Sequence, residues 1–148
     1  NVISREVMLP RGLLGMGLDT LDWSGDEIKK VLMLYAEPGG LPNIVHCSHG
    51  KDRTGLICAL VLMILDVPVE AIEHDYFLTD QVAVEVLHER EREFARIGLP
   101  EKWAGTDKRM IIGLRDHLDE NYGGLDAYLD SIDVSKEMRY KIRENLQY

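Results

Sequence analysis

Val45-His-Cys-Ser-His-Gly-Lys-Asp-Arg-Thr-Gly55 is the most informative segment of this sequence. A short β-branched run at residues 43–46 leads into it and predicts a buried strand. Residues 53–65 are apolar nearly all round, which is typical of a helix buried in the middle of a domain. The polar, glycine-containing residues between strand and helix therefore predict a loop at a helix N-terminus.

The loop from Cys47 to Arg53 has the composition of a phosphate-binding site. Five intervening residues allow successive backbone N–H groups to converge on an anion at the positive end of a helix. That environment lowers the pKa of a cysteine, so that Cys47 can act as a thiolate nucleophile. Arg53 offers a planar fork for two phosphate oxygens, Gly50 permits the tight turn, and Thr54 can donate a hydrogen bond to the sulfur.

This string resembles the active-site signature of the protein tyrosine phosphatase superfamily, which is His-Cys, any five residues, Arg, then Ser or Thr. Its Gly-Lys-Asp-Arg-Thr-Gly ending is most similar to the tyrosine phosphatase-like family of bacteria and fungi, some members of which act on phosphoinositides. Residues 60–72, Asp75-Tyr76 and residues 122–129 are similar to the helical half of that family. The resemblance implies that Cys47 forms a phosphocysteine, which water then hydrolyses.

Two sets of site residues follow from the motif and from the resemblance. The expected catalytic residues are Cys47, Arg53, Asp52 and Thr54. The expected phosphate-binding residues are Ser48, His49, Gly50, Lys51, Asp52 and Arg53. Lys51 is open to two interpretations, the recruitment of a second phosphate or a solvated surface position. His46 is expected to orient the loop by hydrogen bonding to its backbone.

The general acid is left open among three aspartates, because the Trp-Pro-Asp tripeptide of many tyrosine phosphatases is missing from the sequence. Asp52 is preferred, since it lies inside the loop beside Arg53 and within certain reach of a substrate. The similar myotubularin lipid phosphatases place an acid there. Asp22 and Asp19, in an upstream segment expected to be a loop, are the alternatives. A further alternative is that Asp52 only buttresses Arg53.

Neither a metal nor any other cofactor is expected. His46, Cys47 and His49 have no partners at a spacing that suits a structural zinc ion, which takes about four ligands. A nucleotide-binding P-loop is excluded by spacing, because Val45 stands in place of its first glycine. Asp52 likewise occupies the position where that motif requires Ser or Thr.

The expected fold class is α/β, protein tyrosine phosphatase-like, with a small central sheet flanked by many helices. Residues 5–10 are a second candidate strand, and the glycine-rich residues 12–17 are expected to form a loop. Two strands are few for such a domain. Residues 1–148 are therefore expected to be a single phosphatase catalytic domain that is N-terminally incomplete, with further strands preceding Asn1.

The helices are predicted from apolar periodicity and from capping residues. Ser24-Gly-Asp-Glu27 has the capping-box pattern of a helix start, and residues 69–97 predict two helices divided near Thr79. A further helix runs through Met110 and ends at Tyr122-Gly-Gly124, and Ser135 is the expected N-cap of the last. The charge alternation at residues 89–93 predicts a solvated helix face.

The composition of the chain limits the kinds of partner and the location that can be expected. A net charge of −9 argues against binding to nucleic acid or to an anionic membrane surface, and the longest apolar run is too short to span a bilayer. Two cysteines are too few for a disulfide framework, so a reducing, cytoplasmic location is expected. The expected partner is a phosphorylated protein, or alternatively a phosphoinositide or inositol phosphate. A pseudophosphatase that binds phosphate without releasing it is the competing class.

Overall fold

The computed structural model describes residues 2–81 and 84–147. Residues 1, 82, 83 and 148, which the single-domain prediction includes, lie outside the described residues. A π-helical turn (Ser4–Met8) and two 3₁₀ turns (Leu78–Asp80 and Glu101–Ala104) accompany eight α-helices in this part of the chain. The α-helices are α1 (Leu9–Trp23), α2 (Gly25–Ala36), α3 (Asp52–Ile64), α4 (Val69–Phe77), α5 (Val84–Arg96), α6 (Met110–Tyr122), α7 (Leu125–Ser131) and α8 (Lys136–Leu146).

The expected α/β fold with a small central sheet is wrong, because residues 2–81 and 84–147 contain helices and no strand. Residues 43–46, which have the composition of a buried strand, form no regular secondary structure, and Ile44 is 90% exposed. A strand needs a neighbouring strand to bond its N–H and C=O groups. No described segment forms such a ladder with residues 43–46.

The second candidate strand, at residues 5–10, is helical. It spans the π-helical turn and the start of α1, where Pro10 occupies the first turn. A proline is tolerated there because the first helical N–H groups have no partner within the helix. The loop expected at residues 12–17 is also helix, kinked at Gly12 with φ 66°. That φ is open to glycine because it carries no Cβ, so the backbone leaves helical geometry at Gly12 and two helical stretches meet there at a kink.

The buried central helix predicted at residues 53–65 is confirmed as α3. It packs against α1, α2, α4, α6 and α8. Its buried side chains are Leu56, Ile57, Ala59, Leu60, Val61 and Ile64. Burying one large aliphatic side chain contributes about 1.5–3 kcal/mol, so α3 is the main source of core stability around the loop that precedes it.

The predicted helix ends are mostly confirmed. Ser135 Oγ accepts a hydrogen bond from the backbone N–H of Met138 at 3.2 Å, as an N-cap does. Gly123, at φ 83°, ends α6 in the left-handed conformation typical of a C-cap. Ser24 precedes α2 as predicted, but its side chain makes no capping hydrogen bond. Residues 69–97 divide into α4 and α5 at the turn Leu78–Asp80, which contains Thr79.

Within residues 2–81 and 84–147, no helix combines the length and the apolarity needed to cross a bilayer.

Candidate active site

The segment Cys47 to Arg53, called here the phosphate loop, curls into the N-terminus of α3. The helix begins at Asp52, and its first backbone bond runs from Gly55 N–H to the Lys51 carbonyl at 2.6 Å. The N–H groups before it have no partner within the helix, so they are available to an anion or to a thiolate. Gly50 has φ 61°, in the left-handed region that favours glycine, and this turns the chain back on itself.

The loop surrounds the sulfur of Cys47 with hydrogen-bond donors. Partial burial raises the pKa of the thiol, but the Thr54 hydroxyl and the backbone amides of Thr54, Lys51 and His49 outweigh it. The net result is a pKa lowered from 9.0 to about 6. A thiol with this pKa is mostly ionised at neutral pH, and the thiolate is the reactive form of cysteine.

The hydroxyl of Thr54 is buried and has no partner at ordinary hydrogen-bond geometry in the described part of the chain. Its effect on Cys47 is therefore that of a nearby O–H dipole, rather than of a well-formed hydrogen bond to the resting sulfur. A buried hydroxyl without a partner is unusual in a folded protein. It is available to a sulfur that gains or loses charge.

Arg53 lies at the end of the loop with its guanidinium exposed. One nitrogen, Nη2, donates to Ser48 Oγ at 3.2 Å. No other hydrogen bond of this guanidinium is made within residues 2–81 and 84–147. The remaining N–H groups are therefore free to form the bidentate contact with phosphate that the motif predicts.

Lys51 points inward rather than toward solvent. Its side chain is 0% exposed, and Nζ donates to Asp52 Oδ1 at 2.8 Å. The ammonium also lies 6.0 Å from the ring centre of Phe94. The solvated-surface interpretation of Lys51 is wrong, and the inward position does not favour recruitment of a second phosphate. Instead, Lys51 fixes the carboxylate of Asp52 beside Arg53.

Helix α5 contacts the phosphate loop through three residues that the sequence did not assign to the site. Arg90 Nη2 donates to the His49 carbonyl at 3.0 Å, and Glu93 Oε2 lies 2.6 Å from His49 Nε2. The ring of Phe94 is 5.1 Å from that of His49. The solvated helix face predicted at residues 89–93 is wrong for Arg90, which is 8% exposed. Arg90, Glu93 and Phe94 are spaced i, i+3 and i+4, and this helical spacing could have predicted that they share one face of α5.

A cavity of about 390 Å³ opens beside the phosphate loop. The loop and the start of α3 supply its polar side through Ser48, His49, Asp52 and Arg53. The rest of the wall is mainly apolar and comes from segments far apart in sequence: Met8, Leu13, Met16, Gly17, Thr20, Leu56, Phe94 and Trp103. The cavity therefore has a polar side, formed by the loop, and a mainly apolar wall, and its aromatic part could not be assigned from sequence alone.

Asp19 and Asp22 are engaged elsewhere. Asp19 pairs with Arg11 on the surface of α1. Asp22 Oδ1 accepts from Tyr122 Oη at 2.8 Å and lies 2.7 Å from His117 Nε2. Burial acts to raise the pKa of Asp22, but these two hydrogen bonds outweigh it and the pKa is lowered.

The direction of these two side chains also argues against them as the acid. Each residue turns an α-helix by about 100°, so Asp22 lies roughly 170° and Asp19 roughly 110° from the middle of the face that α1 presents to the cavity. That face consists of Leu13, Met16, Gly17 and Thr20. Asp52 lines the cavity itself, which makes it the best-placed of the three aspartates.

His46 makes one long contact with the phosphate loop. His46 is exposed, with Nδ1 3.4 Å from the Cys47 carbonyl oxygen, which is a long contact for a residue expected to orient the loop. Within the described ranges, no three His, Cys, Asp or Glu side chains are grouped so as to hold a metal ion. That the chemistry needs neither metal nor cofactor stays a prediction.

Three features indicate the class of the site: a loop that leads into a helix N-terminus, a cysteine with a lowered pKa in that loop, and an arginine six residues further on. Residues 11–148 match the model of a family described as "Tyrosine phosphatase family". Because the match covers nearly the whole sequence, the chain belongs to this tyrosine phosphatase family.

Two curated relatives are similar to the chain. "Triple specificity protein phosphatase PtpB" of Mycobacterium tuberculosis (strain ATCC 25618 / H37Rv) is 28% identical over 131 residues, which is 78% of this chain and 47% of the relative. A "Tyrosine-protein phosphatase" of Nostoc commune is 26% identical over 147 residues, 88% of this chain and 49% of the relative. The chain thus spans about half the length of the curated relatives it matches.

Proposed function

We propose that residues 1–148 act as the catalytic domain of a cysteine-dependent phosphomonoester hydrolase that acts on phosphotyrosine proteins. The observation that carries the proposal is the sulfur of Cys47, which faces the amides of His49, Lys51 and Thr54 at the start of α3 and has a pKa of about 6. Membership of the tyrosine phosphatase family supports the same chemistry.

In the first step, the Cys47 thiolate attacks phosphorus. An S–P bond forms while the bond between phosphorus and the tyrosyl oxygen breaks. Arg53 and the loop amides bind the non-bridging oxygens, whose charge they stabilise in the transition state. Asp52, as the general acid, gives a proton to the departing phenolate oxygen as the P–O bond breaks.

In the second step, water attacks the phosphocysteine. The carboxylate of Asp52 takes a proton from this water as the new P–O bond forms. The S–P bond breaks, which releases inorganic phosphate and returns the thiolate. The unpaired hydroxyl of Thr54 stabilises the departing sulfur by donating a hydrogen bond.

The cavity beside the loop supports an aryl phosphate as the substrate. Its apolar wall suits a phenyl ring, which gains free energy when it leaves water for such a surface. An inositol ring carries hydroxyls or further phosphates that need polar or cationic partners, and the wall beyond the loop offers few. Hydrolysis of phosphoinositides by the same mechanism is the alternative.

The experiment for the mechanism measures phosphate release from an aryl phosphate in the presence of a chelator. We expect Cys47→Ser to abolish turnover, and Arg53→Ala to lower kcat/KM about 10²-fold to 10³-fold because a charged transition-state contact is lost. Asp52→Asn should lower kcat about 10²-fold and remove the basic limb of the pH profile, whereas the control Asp22→Asn keeps that limb.

Three results would contradict parts of this proposal. Full activity in Cys47→Ser ends it, and an unchanged basic limb in Asp52→Asn removes Asp52 as the acid. Tight binding of a phosphopeptide by the parent protein without phosphate release identifies a pseudophosphatase. The same assay run on phosphotyrosyl peptides and inositol phosphates decides the substrate, and we expect the higher kcat/KM for the peptides.

A further inference from the structure

Arg90 of α5 is a buried cation whose partner is a backbone carbonyl of the phosphate loop. Its side chain is 8% exposed, and Nη2 donates to the oxygen of His49 at 3.0 Å. Burying a guanidinium is unfavourable unless its N–H groups are bonded, so this contact is needed where it stands. Among the described residues, this hydrogen bond is the one that joins the Arg90 side chain to the phosphate loop.

The contact fixes the rotation of one peptide plane. In a trans peptide, the carbonyl of His49 and the N–H of Gly50 point in opposite directions. Holding the carbonyl toward α5 therefore directs that N–H away from α5. Gly50, at φ 61°, has no side chain that could help to hold the plane in place.

That plane lies between two groups that act on the nucleophile. The amide of His49 precedes it and the amide of Lys51 follows it, and both lower the pKa of Cys47. The plane is joined to the His49 amide through φ and ψ of His49 and to the Lys51 amide through φ and ψ of Gly50, so holding the plane in one orientation restricts the rotations on which both amide directions depend.

His49 is held by α5 at a second point. Its Nε2 lies 2.6 Å from Glu93 Oε2, and its ring packs against Phe94. Arg90, Glu93 and Phe94 are spaced i, i+3 and i+4 and therefore share one face of α5. That face contacts both the main chain and the side chain of His49.

We propose that α5 positions the phosphate loop and that Arg90 is a positioning residue, which keeps the amides of His49 and Lys51 directed at the sulfur of Cys47. The inference rests on the proposed function, because it assigns the loop to phosphate binding. Arg90 acts through His49 and needs no contact with substrate.

The test compares Arg90→Met with Arg92→Met, a matched change at an exposed arginine of the same helix. Alkylation of Cys47 by iodoacetamide is followed against pH on the peptide that contains Cys47, so that Cys58 does not interfere. In Arg90→Met we expect the apparent pKa of Cys47 to rise by about one unit, a tenfold loss of thiolate at low pH. Protection of Cys47 by inorganic phosphate should weaken about tenfold, while Arg92→Met matches the parent in both measurements.

Parent-like titration and phosphate protection in Arg90→Met overturn the inference, even if the variant melts at a lower temperature, because only folding then depends on Arg90. Should Arg90→Met fail to fold, Arg90→Lys decides alone. Lysine keeps the charge but has a different reach and a single donor nitrogen in place of the planar guanidinium. A raised Cys47 pKa therefore supports the inference, and the parent value overturns it. If the parent's own Cys47 titrates like ordinary cysteine, the proposed function fails instead.

Discussion

The two ends of the phosphate loop are held in different ways. At its C-terminal end the loop continues into α3, a helix that packs against five others. At its N-terminal end it is approached by residues 43–46, called here the approach segment, where Ile44 is 90% exposed. The loop is therefore anchored to the core mainly through its helix, with α5 as a second support.

This difference shows why one local prediction was confirmed and the other was wrong. A helix bonds its own backbone, so an apolar run such as residues 53–65 needs only neighbours to bury it. A strand depends on a partner that is distant in sequence, so the β-branched composition of the approach segment is not sufficient. Among the described residues no such partner is present.

The largest expected effect is at the core of α3. Leu60 is 2% exposed, and Leu60→Ala should lower the free energy of unfolding by about 2–5 kcal/mol through lost burial and a cavity. Urea unfolding measures the change, with Leu34→Ala as the control because Leu34 is 48% exposed. Equal losses at the two positions would contradict the assignment of α3 as the central helix.

A smaller effect is expected where α3 leaves the loop. A Cβ on Gly55 would lie 2.7 Å from the ring of Tyr76, which is buried, so Gly55→Ala forces one of them to move. We expect a loss of about 1–3 kcal/mol, despite the better helix propensity of alanine.

The double variant with Tyr76→Ala tests this cause. Gly55→Ala should cost much less, or even stabilise, once the ring is absent. The same cost in both backgrounds would show that the clash is not the reason.

The smallest effect is expected in the approach segment. Ile44→Ser should change the free energy of unfolding by less than about 0.5 kcal/mol, because the side chain is already in water. Thermal unfolding compares it with Ile64→Ser, at a position 1% exposed, which should be strongly destabilising. A loss at Ile44 close to that at Ile64 would mean that the approach segment is packed in solution.

The parts of the site that lie in one continuous stretch were accessible to sequence reasoning. Cys47, Asp52, Arg53 and Thr54 were named from the motif, and their roles stay proposals. The inward direction of Lys51 was not predicted. Its partner Asp52 is adjacent in sequence, but the ring of Phe94 lies on a distant helix that the sequence does not place near Lys51. The helical periodicity of α5 turns Arg90 toward the protein interior and the nearby Arg92 toward solvent.

Residues close together in the chain were enough to predict helices α2 to α6, helix α8 and the loop before α3, whereas most of α1 was expected to be a strand and a loop. Helix formation, capping by Ser135 and Gly123, and the spacing of Cys47 and Arg53 depend on residues close together in the chain. Tertiary structure alone decided that residues 43–46 form no strand, that α5 grips His49, and that α1 and Trp103 complete the cavity wall. These outcomes depend on contacts between residues far apart in sequence, and no local pattern records which distant partner is present.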